Sequence, residues 1–292
     1  MHDPLPTRRL ALAGLGASLA AACTPLGLFA TLTPRDGGVI AWRGEAYGDD
    51  PRQRLDVYAR RGTEGAPVCV FFYGGSWNSG RRQDYGWVGQ ALAARGFVAV
   101  VADYRLHPQV RFPGFLEDGA LAVRWLTQNA QRYGGDPGRI TLSGHSAGGY
   151  NAVMLGLDPS YLNAVGVKPE VVRAVAGLAG PYDFLPLDDP TTIKVFGKAP
   201  DLPGTQPGTF ARADSTPAFL ATGLSDNVVW PRNTQRLAAR LRAAGAVVEE
   251  RGYAGLDHAA ILLALSRPLR GRAPVLDEMA GFLMKHAASS AD

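Results

Sequence analysis

From Val39 onward, short β-branched and aromatic runs alternate with longer alanine-rich segments of helical period. That alternation predicts βαβ units around a mostly parallel central sheet with helices on both faces. Residues 55–59 read as an early strand. Residues 68–73 are apolar without interruption, as a strand covered on both faces must be, and they end at Gly74-Gly75. Helical spacing follows over 85–94, another buried strand over 97–102, and a long helix over 116–133 that Gly134-Gly135 closes. The strand at 139–143 runs into Gly144-His145-Ser146-Ala147-Gly148-Gly149, after which 150–157 continues as a helix. Further strands are predicted at 171–177, 218–222 and 247–253, with helices at 232–244 and 275–286. Residues 184–214 differ: they are rich in proline, glycine and aspartate, have weak periodicity, and form a candidate lid.

Composition narrows the class. A chain of 292 residues that is 46% hydrophobic and 19% charged can bury one large core and is not disordered. Its 36 glycines and 21 prolines are spread along the chain with no fixed period and no low-complexity block, which argues against a repeat architecture. The net charge of +4 comes from dispersed basic residues, so nucleic acid is not an expected partner. Of two cysteines, Cys69 lies in an apolar run and reads as an inert core thiol, and the count leaves no disulfide framework or cysteine-based metal site.

The N-terminus reads as a separate object. Thr7-Arg8-Arg9 precedes an uncharged apolar stretch over 10–22, the pattern of an export signal with paired arginines. Leu19-Ala20-Ala21-Ala22-Cys23 is similar to a lipobox, which makes Cys23 a candidate lipidation site and membrane tether. Ordinary cleavage, or an uncleaved anchor that includes the apolar residues 26–32, are the alternatives. Residues 1–38 are accordingly expected to be an export segment and linker, and 39–292 one catalytic domain in the periplasm or on a membrane.

The candidate chemistry is acyl transfer. A serine hydroxyl needs a base to take its proton and backbone donors to hold the developing oxyanion. Gly144-His145-Ser146-Ala147-Gly148 fits the G-x-S-x-G elbow between a strand and a helix, with Ser146 as nucleophile. Tyr73-Gly74-Gly75-Ser76-Trp77 stands at the end of an earlier strand, where a second oxyanion donor belongs. With Asp103-Tyr104-Arg105-Leu106, Asp118 and Tyr133-Gly134-Gly135-Asp136-Pro137, these motifs resemble bacterial carboxylesterases of the α/β-hydrolase superfamily, near the hormone-sensitive-lipase-like and formamidase-like groups. The resemblance covers 39–286. It implies the α/β-hydrolase fold, with Gly75, Ser76 and Ala147 as oxyanion donors and Gly74 a lesser candidate. Tyr73 replaces the family's histidine, a departure that bears on loop rigidity rather than on catalysis.

His258, after the last strand, is the candidate base; His2, His107, His145 and His286 stand in less suitable places. Asp226, in the loop after 218–222, is the candidate acid, and the chain order Ser, Asp, His is the one this fold uses. Asp183 and Asp257 are the rival carboxylates. Trp77, Phe196 and Trp230 are candidates for an apolar pocket wall. No H-E-x-x-H, P-loop or dinucleotide fingerprint is present, and no cofactor is expected. The function these residues imply is hydrolysis of small-molecule esters with short to medium acyl groups. An arylformamidase or peptidase on the same triad is the alternative, and a non-catalytic binding protein would normally lack a triad member.

Overall fold

The computed structural model describes residues 25–288. The export pattern and Cys23 lie outside the described residues. In chain order the elements are α1 (Pro25–Leu32), β1 (Val39–Ala46), β2 (Arg54–Arg60), β3 (Ala66–Phe72), α2 (Gly86–Ala93), β4 (Val98–Ala102), α3 (Gly114–Asn129), β5 (Gly135–His145) and α4 (Ala147–Leu157). There follow α5 (Ser160–Ala164), β6 (Val172–Leu178), α6 (Pro190–Phe196), β7 (Ala218–Gly223), α7 (Arg232–Ala243), β8 (Val248–Tyr253), α8 (His258–Leu263) and α9 (Val275–Ala288).

One eight-stranded sheet has the order β1-β2-β4-β3-β5-β6-β7-β8. Strands β3 to β8 pair in parallel, and β2 is antiparallel to both β4 and β1. The apolar runs of β3, β4 and β5 are buried because helices cover the sheet: α3 packs on α4, and α2 on α9. The chain runs from β3 outward to β4, then returns to place β5 on β3's other side. Ligands of open α/β sheets bind at the carboxyl ends of strands where the order reverses in this way. The loops after β3 and β5 carry Gly74-Gly75 and the serine elbow.

Residues 25–38 pack on the sheet-and-helix body: Phe29 lies edge-on against Trp87 at 5.5 Å, and Arg270 donates to Asp36 at 3.0 and 2.9 Å. The segment 184–214 is docked: Val195 and Phe196 of α6 are buried, the Phe184 N–H donates to Gln206 Oε1 (3.0 Å), and the Tyr150 hydroxyl donates to the Thr205 carbonyl (2.7 Å). Weak periodicity there reflects two 3-10 turns and a seven-residue helix, each too short to show a period.

The elbow depends on backbone contact that only glycine permits. A Cβ on Gly148 would lie 2.0 Å from the Phe72 carbonyl oxygen and 2.5 Å from that of Tyr73; one on Gly144 would lie 2.2 Å from the Gly148 carbonyl oxygen. Since these neighbours are main chain, they cannot swing away. We expect Gly148→Ala to cost about 3 kcal/mol or more of stability, whereas Gly281→Ala, on the exposed face of α9 with nothing within 4 Å, should stabilise by about 0.5–1 kcal/mol. Urea denaturation of the two variants checks this; a Gly148→Ala midpoint equal to that of the unsubstituted protein would contradict the close-approach argument.

Candidate active site

Ser146 ends the turn between β5 and α4 with φ 55° and ψ −125°, a conformation that costs on the order of 1–3 kcal/mol for a residue with a side chain. The surrounding backbone holds it: its N–H donates to the Leu178 carbonyl (2.8 Å) and its carbonyl accepts from the Tyr150 N–H (3.0 Å). The Ser146 Oγ lies 2.9 Å from His258 Nε2, and His258 Nδ1 lies 2.8 Å from Asp226 Oδ2. A carboxylate can only accept, so Nδ1 carries the proton and Nε2 is left free to accept from the serine hydroxyl.

Asp226 is buried at the end of β7, and its second oxygen accepts from the Val228 and Val229 N–H groups at 2.9 Å each. Burial alone would raise its pKa. The hydrogen bond and charge of His258, with the two backbone donors, outweigh burial and hold the carboxyl below its ordinary range. The rival acids are engaged elsewhere. Asp183 pairs with Arg236 (2.7 Å) and Arg240 (3.5 Å). Asp257 caps α8 by accepting from the Ala259 and Ala260 N–H groups, which fixes His258 as that helix's first residue.

The oxyanion candidates flank the serine. Ala147 is the first residue of α4, where N–H groups have no partner within the helix and the helix dipole favours negative charge. Across the cleft, the Gly75 carbonyl accepts from the Asn78 and Ser79 N–H groups (3.0 Å each) and from the Ser79 hydroxyl (3.0 Å). In a trans peptide the next N–H points the opposite way, so this anchor aims the Ser76 N–H away from the turn. Gly75 has φ +125°, and a Cβ there would meet the Ser79 carbonyl at 2.4 Å. Gly74 also borders Ser146, as a neighbour of its side chain.

Tyr73 is what stiffens this loop. Its ring stacks between Tyr85 and Tyr104 with centroids 5.1 and 4.9 Å away. Its hydroxyl donates to Asp103 Oδ1 and accepts from Arg52, both at 2.7 Å. Asp103 in turn accepts from the Arg82 backbone N–H (2.7 Å) and pairs with its guanidinium, which also donates to buried Asp56 (2.8 Å). The departure from histidine at position 73 therefore leaves the loop buttressed.

Two clefts meet at Ser146. One, of about 530 Å³, is polar and runs between Trp77 and the segment 184–192 toward Trp230; Phe184, Asp188 and Asn233 line it. The other, of about 540 Å³, is apolar and is walled by Leu26 and Phe29 of α1, Tyr85, and Leu262 and Leu263 of α8. Of the three expected pocket aromatics, Trp77 lines the first cleft and Trp230 stands at its rim, 54% exposed, beneath the Arg232 guanidinium. Phe196 does not line it: fully buried, it packs edge-on behind Trp77 at 4.9 Å, where it supports the wall.

His145, beside Ser146 in the chain and not expected as the base, has its Nε2 2.8 Å from the His258 backbone carbonyl. That geometry makes Nε2 the donor. Burial, followed by the neighbouring His258, pushes the His145 pKa down to about 3, so the ring is neutral. Leu26 and Phe29 were visible only as an apolar run read as a possible anchor, and Val228 and Val229 gave no signal beyond adjacency to Asp226.

The family model described as BD-FAE matches residues 55–241, more than half of the chain. Esterase LipC of Mycobacterium tuberculosis is 40% identical over 145 residues, covering 47% of this chain and 36% of that protein. A probable isoprenylcysteine alpha-carbonyl methylesterase of Oryza sativa is 29% identical over 250 residues, covering 78% of this chain and 60% of its own length. The chain thus spans about a third to three fifths of these curated relatives. Among solved structures, esterase B of Lactobacillus rhamnosis, inhibited with a tributyrin phosphonate, superposes with a TM-score of 0.79 at 21% identity over 94% of this chain and 95% of that one. A truncated carbohydrate esterase from gut microbiota gives 0.76 at 20% identity, covering 88% of this chain and 100% of its own. These two likenesses show the α/β-hydrolase fold.

The position of His145 predicts a pH signature of stability. In the unfolded chain this histidine takes up a proton near pH 6.5, but in the folded protein only near pH 3. Protonation therefore favours the unfolded state between those values: the contribution is full above pH 6.5 and is lost progressively as pH falls to about 3. The slope is at most about 1.4 kcal/mol per pH unit. His145→Gln, which keeps an N–H donor and removes the titration, should lose about 2 kcal/mol less stability than the parent between pH 6.5 and 4.5. Parallel stability curves for the two proteins would contradict a buried neutral imidazole.

Proposed function

The chain belongs to the BD-FAE family and has the α/β-hydrolase fold, and from that premise we propose that it is a carboxylic ester hydrolase working through Ser146, His258 and Asp226. The observation that carries this reading is the continuous hydrogen-bond chain from Ser146 Oγ through both ring nitrogens of His258 to a buried carboxylate. That relatives are named esterases, one of them a methylesterase, supports an ester as the substrate class.

The geometry supplies each step. His258 Nε2 takes the hydroxyl proton as Ser146 Oγ attacks the ester carbonyl carbon, and the carbonyl oxygen becomes an oxyanion facing the Ser76 and Ala147 N–H groups, with Gly75 beside them. Asp226 keeps the ring in the productive tautomer and stabilises the imidazolium. When the tetrahedral intermediate collapses, the carbon–oxygen bond to the alcohol breaks and the departing alkoxide takes the proton from Nε2. Water then gives a proton to Nε2, attacks the acyl-enzyme, and releases the acid as Ser146 recovers its proton. The strained backbone at Ser146 and the two anchored N–H groups need no rearrangement during this sequence, which is where preorganisation acts.

A short acyl group suits the first cleft because its lining is largely polar and charged. Trp77, braced by Phe196 and by a hydrogen bond from its indole N–H to Asn151 Oδ1 (2.9 Å), forms one wall beside Ser146. The docked segment 184–192 adds polar walls. An apolar chain that outgrows the site gains nothing from further length.

Two substitutions and one substrate series test this reading. Asp226→Asn should lower kcat by roughly 10⁴-fold, because an amide favours the wrong histidine tautomer. Asp183→Asn, at an ion pair outside the hydrogen-bond chain, should cost far less; the reverse order would overturn the assignment of the acid. Across esters of one alcohol, kcat/KM should peak between acetate and hexanoate. A maximum at long acyl chains would contradict the polar acyl site, and a marked preference for a formyl anilide would move the enzyme to the arylformamidase class.

A further inference from the structure

The two clefts differ in chemistry and in which catalytic groups they touch. Ser76, Ser146 and Val228 border both. Trp77 and Ala147 border only the polar one, and His258 only the apolar one. We propose that the apolar cleft is the alcohol site, and that it selects esters whose alcohol carries an apolar alkyl or aryl body. This inference rests on the assignment of Ser146 and His258 as nucleophile and base.

Stereochemistry at the reacting carbon carries the argument. Of its four substituents, one is Ser146 Oγ and one is the oxyanion, directed at the backbone donors. The leaving oxygen must come within hydrogen-bond reach of His258 Nε2, roughly 2.6–3.2 Å, to receive its proton. The acyl carbon takes the direction that remains. Since His258 faces only the apolar cleft, the leaving oxygen and the group attached to it lie there, and the acyl group lies beside Trp77 and Ala147.

The walls match that occupant. Leu26, Phe29, Tyr85, Leu262 and Leu263 contribute hydrocarbon surface, and among the described residues the lining includes no aspartate, glutamate, lysine or arginine. The polar cleft, by contrast, is lined by Asp183, Asp188, Asp189, Arg232 and Arg236. His145, which borders the apolar side, is neutral. Leu26 and Phe29 lie three residues apart on α1 and so share one helix face. The Phe29 ring is held by Trp87, which keeps that face turned to the site, while Leu28 and Leu32 are 53% and 71% exposed. At about 540 Å³ the cleft is within the range of small-molecule sites. The helix that an export reading treats as linker thus becomes a specificity wall.

The test uses the protein with its N-terminal helix present and varies the two halves of the substrate separately. With acetate fixed as the acyl group, kcat/KM should rise about three- to fourfold per methylene from methyl through butyl toward octyl until the cleft is filled. All these esters form the same acetyl-enzyme, so kcat should converge on one deacylation rate while KM carries the difference. Leu26→Ala with Phe29→Ala should lower the octyl-to-methyl ratio about tenfold or more and shift the hexanoate-to-acetate ratio of methyl esters by less than about twofold. Leu26→Trp, which fills the cleft without removing apolar surface, should depress octyl acetate selectively and guards against a merely destabilised double variant. A flat alcohol series with both variants silent, while Ser146-dependent acetate hydrolysis persists, overturns this inference and leaves the esterase reading intact. Variants that change the acyl series instead of the alcohol series overturn the assignment of the two clefts. Absence of Ser146-dependent turnover on every ester overturns the esterase reading and this inference with it.

Discussion

The backbone contact between the serine elbow and the end of β3 is the constraint on which the rest of the site depends. Gly144 and Gly148 let α4 start within touching distance of the Phe72 and Tyr73 carbonyls. That approach brings the loop after β3 beside the loop after β5, so one helix start and one anchored peptide can face a single point. It also forces Ser146 into its positive-φ conformation. The strain is held by sheet and helix on either side, and a serine held this way has little conformational freedom left to lose.

Around that contact, two buried ionisable groups are held in opposite charge states by their surroundings. Asp226 remains ionised because His258 and two backbone donors together outweigh the cost of its burial. His145, equally buried but without a carboxylate partner, is neutral and serves as a donor to the His258 backbone. A second network of Arg52, Tyr73, Arg82 and Asp103 sits behind the loop after β3 and contributes rigidity without touching Ser146. Aromatic stacking of Tyr73 between Tyr85 and Tyr104 adds to that rigidity.

Much of this was legible in the chain itself. Continuous apolar runs marked β3, β4 and β5, because only a strand covered on both faces reads that way, and the glycine-flanked serine fell where a strand must turn into a helix. Ser146, Asp226 and His258 were recoverable from order along the chain, and the structure brings all three together. What was not legible depends on contacts distant in sequence. Phe196 resembled a pocket residue because nothing in its neighbourhood reveals that Trp77 lies between it and the cleft. Residues 25–38 read as a linker because the partners of Phe29 and Asp36, Trp87 and Arg270, lie far along the chain and leave no local pattern. The segment 184–214 lacked periodicity, so its docking through Phe196 and Gln206 left no pattern to read.

The central claim is that Ser146 becomes covalently acylated during ester hydrolysis. An alkyl phosphonate ester mimics the tetrahedral intermediate and cannot be deacylated, so the measurement is the mass and position of the adduct it leaves on the purified protein. The account predicts one adduct per chain, carried on the peptide containing Ser146, absent from Ser146→Ala and slowed by orders of magnitude in His258→Gln. An adduct on a different residue, or labelling of Ser146→Ala at the rate of the parent, would contradict it.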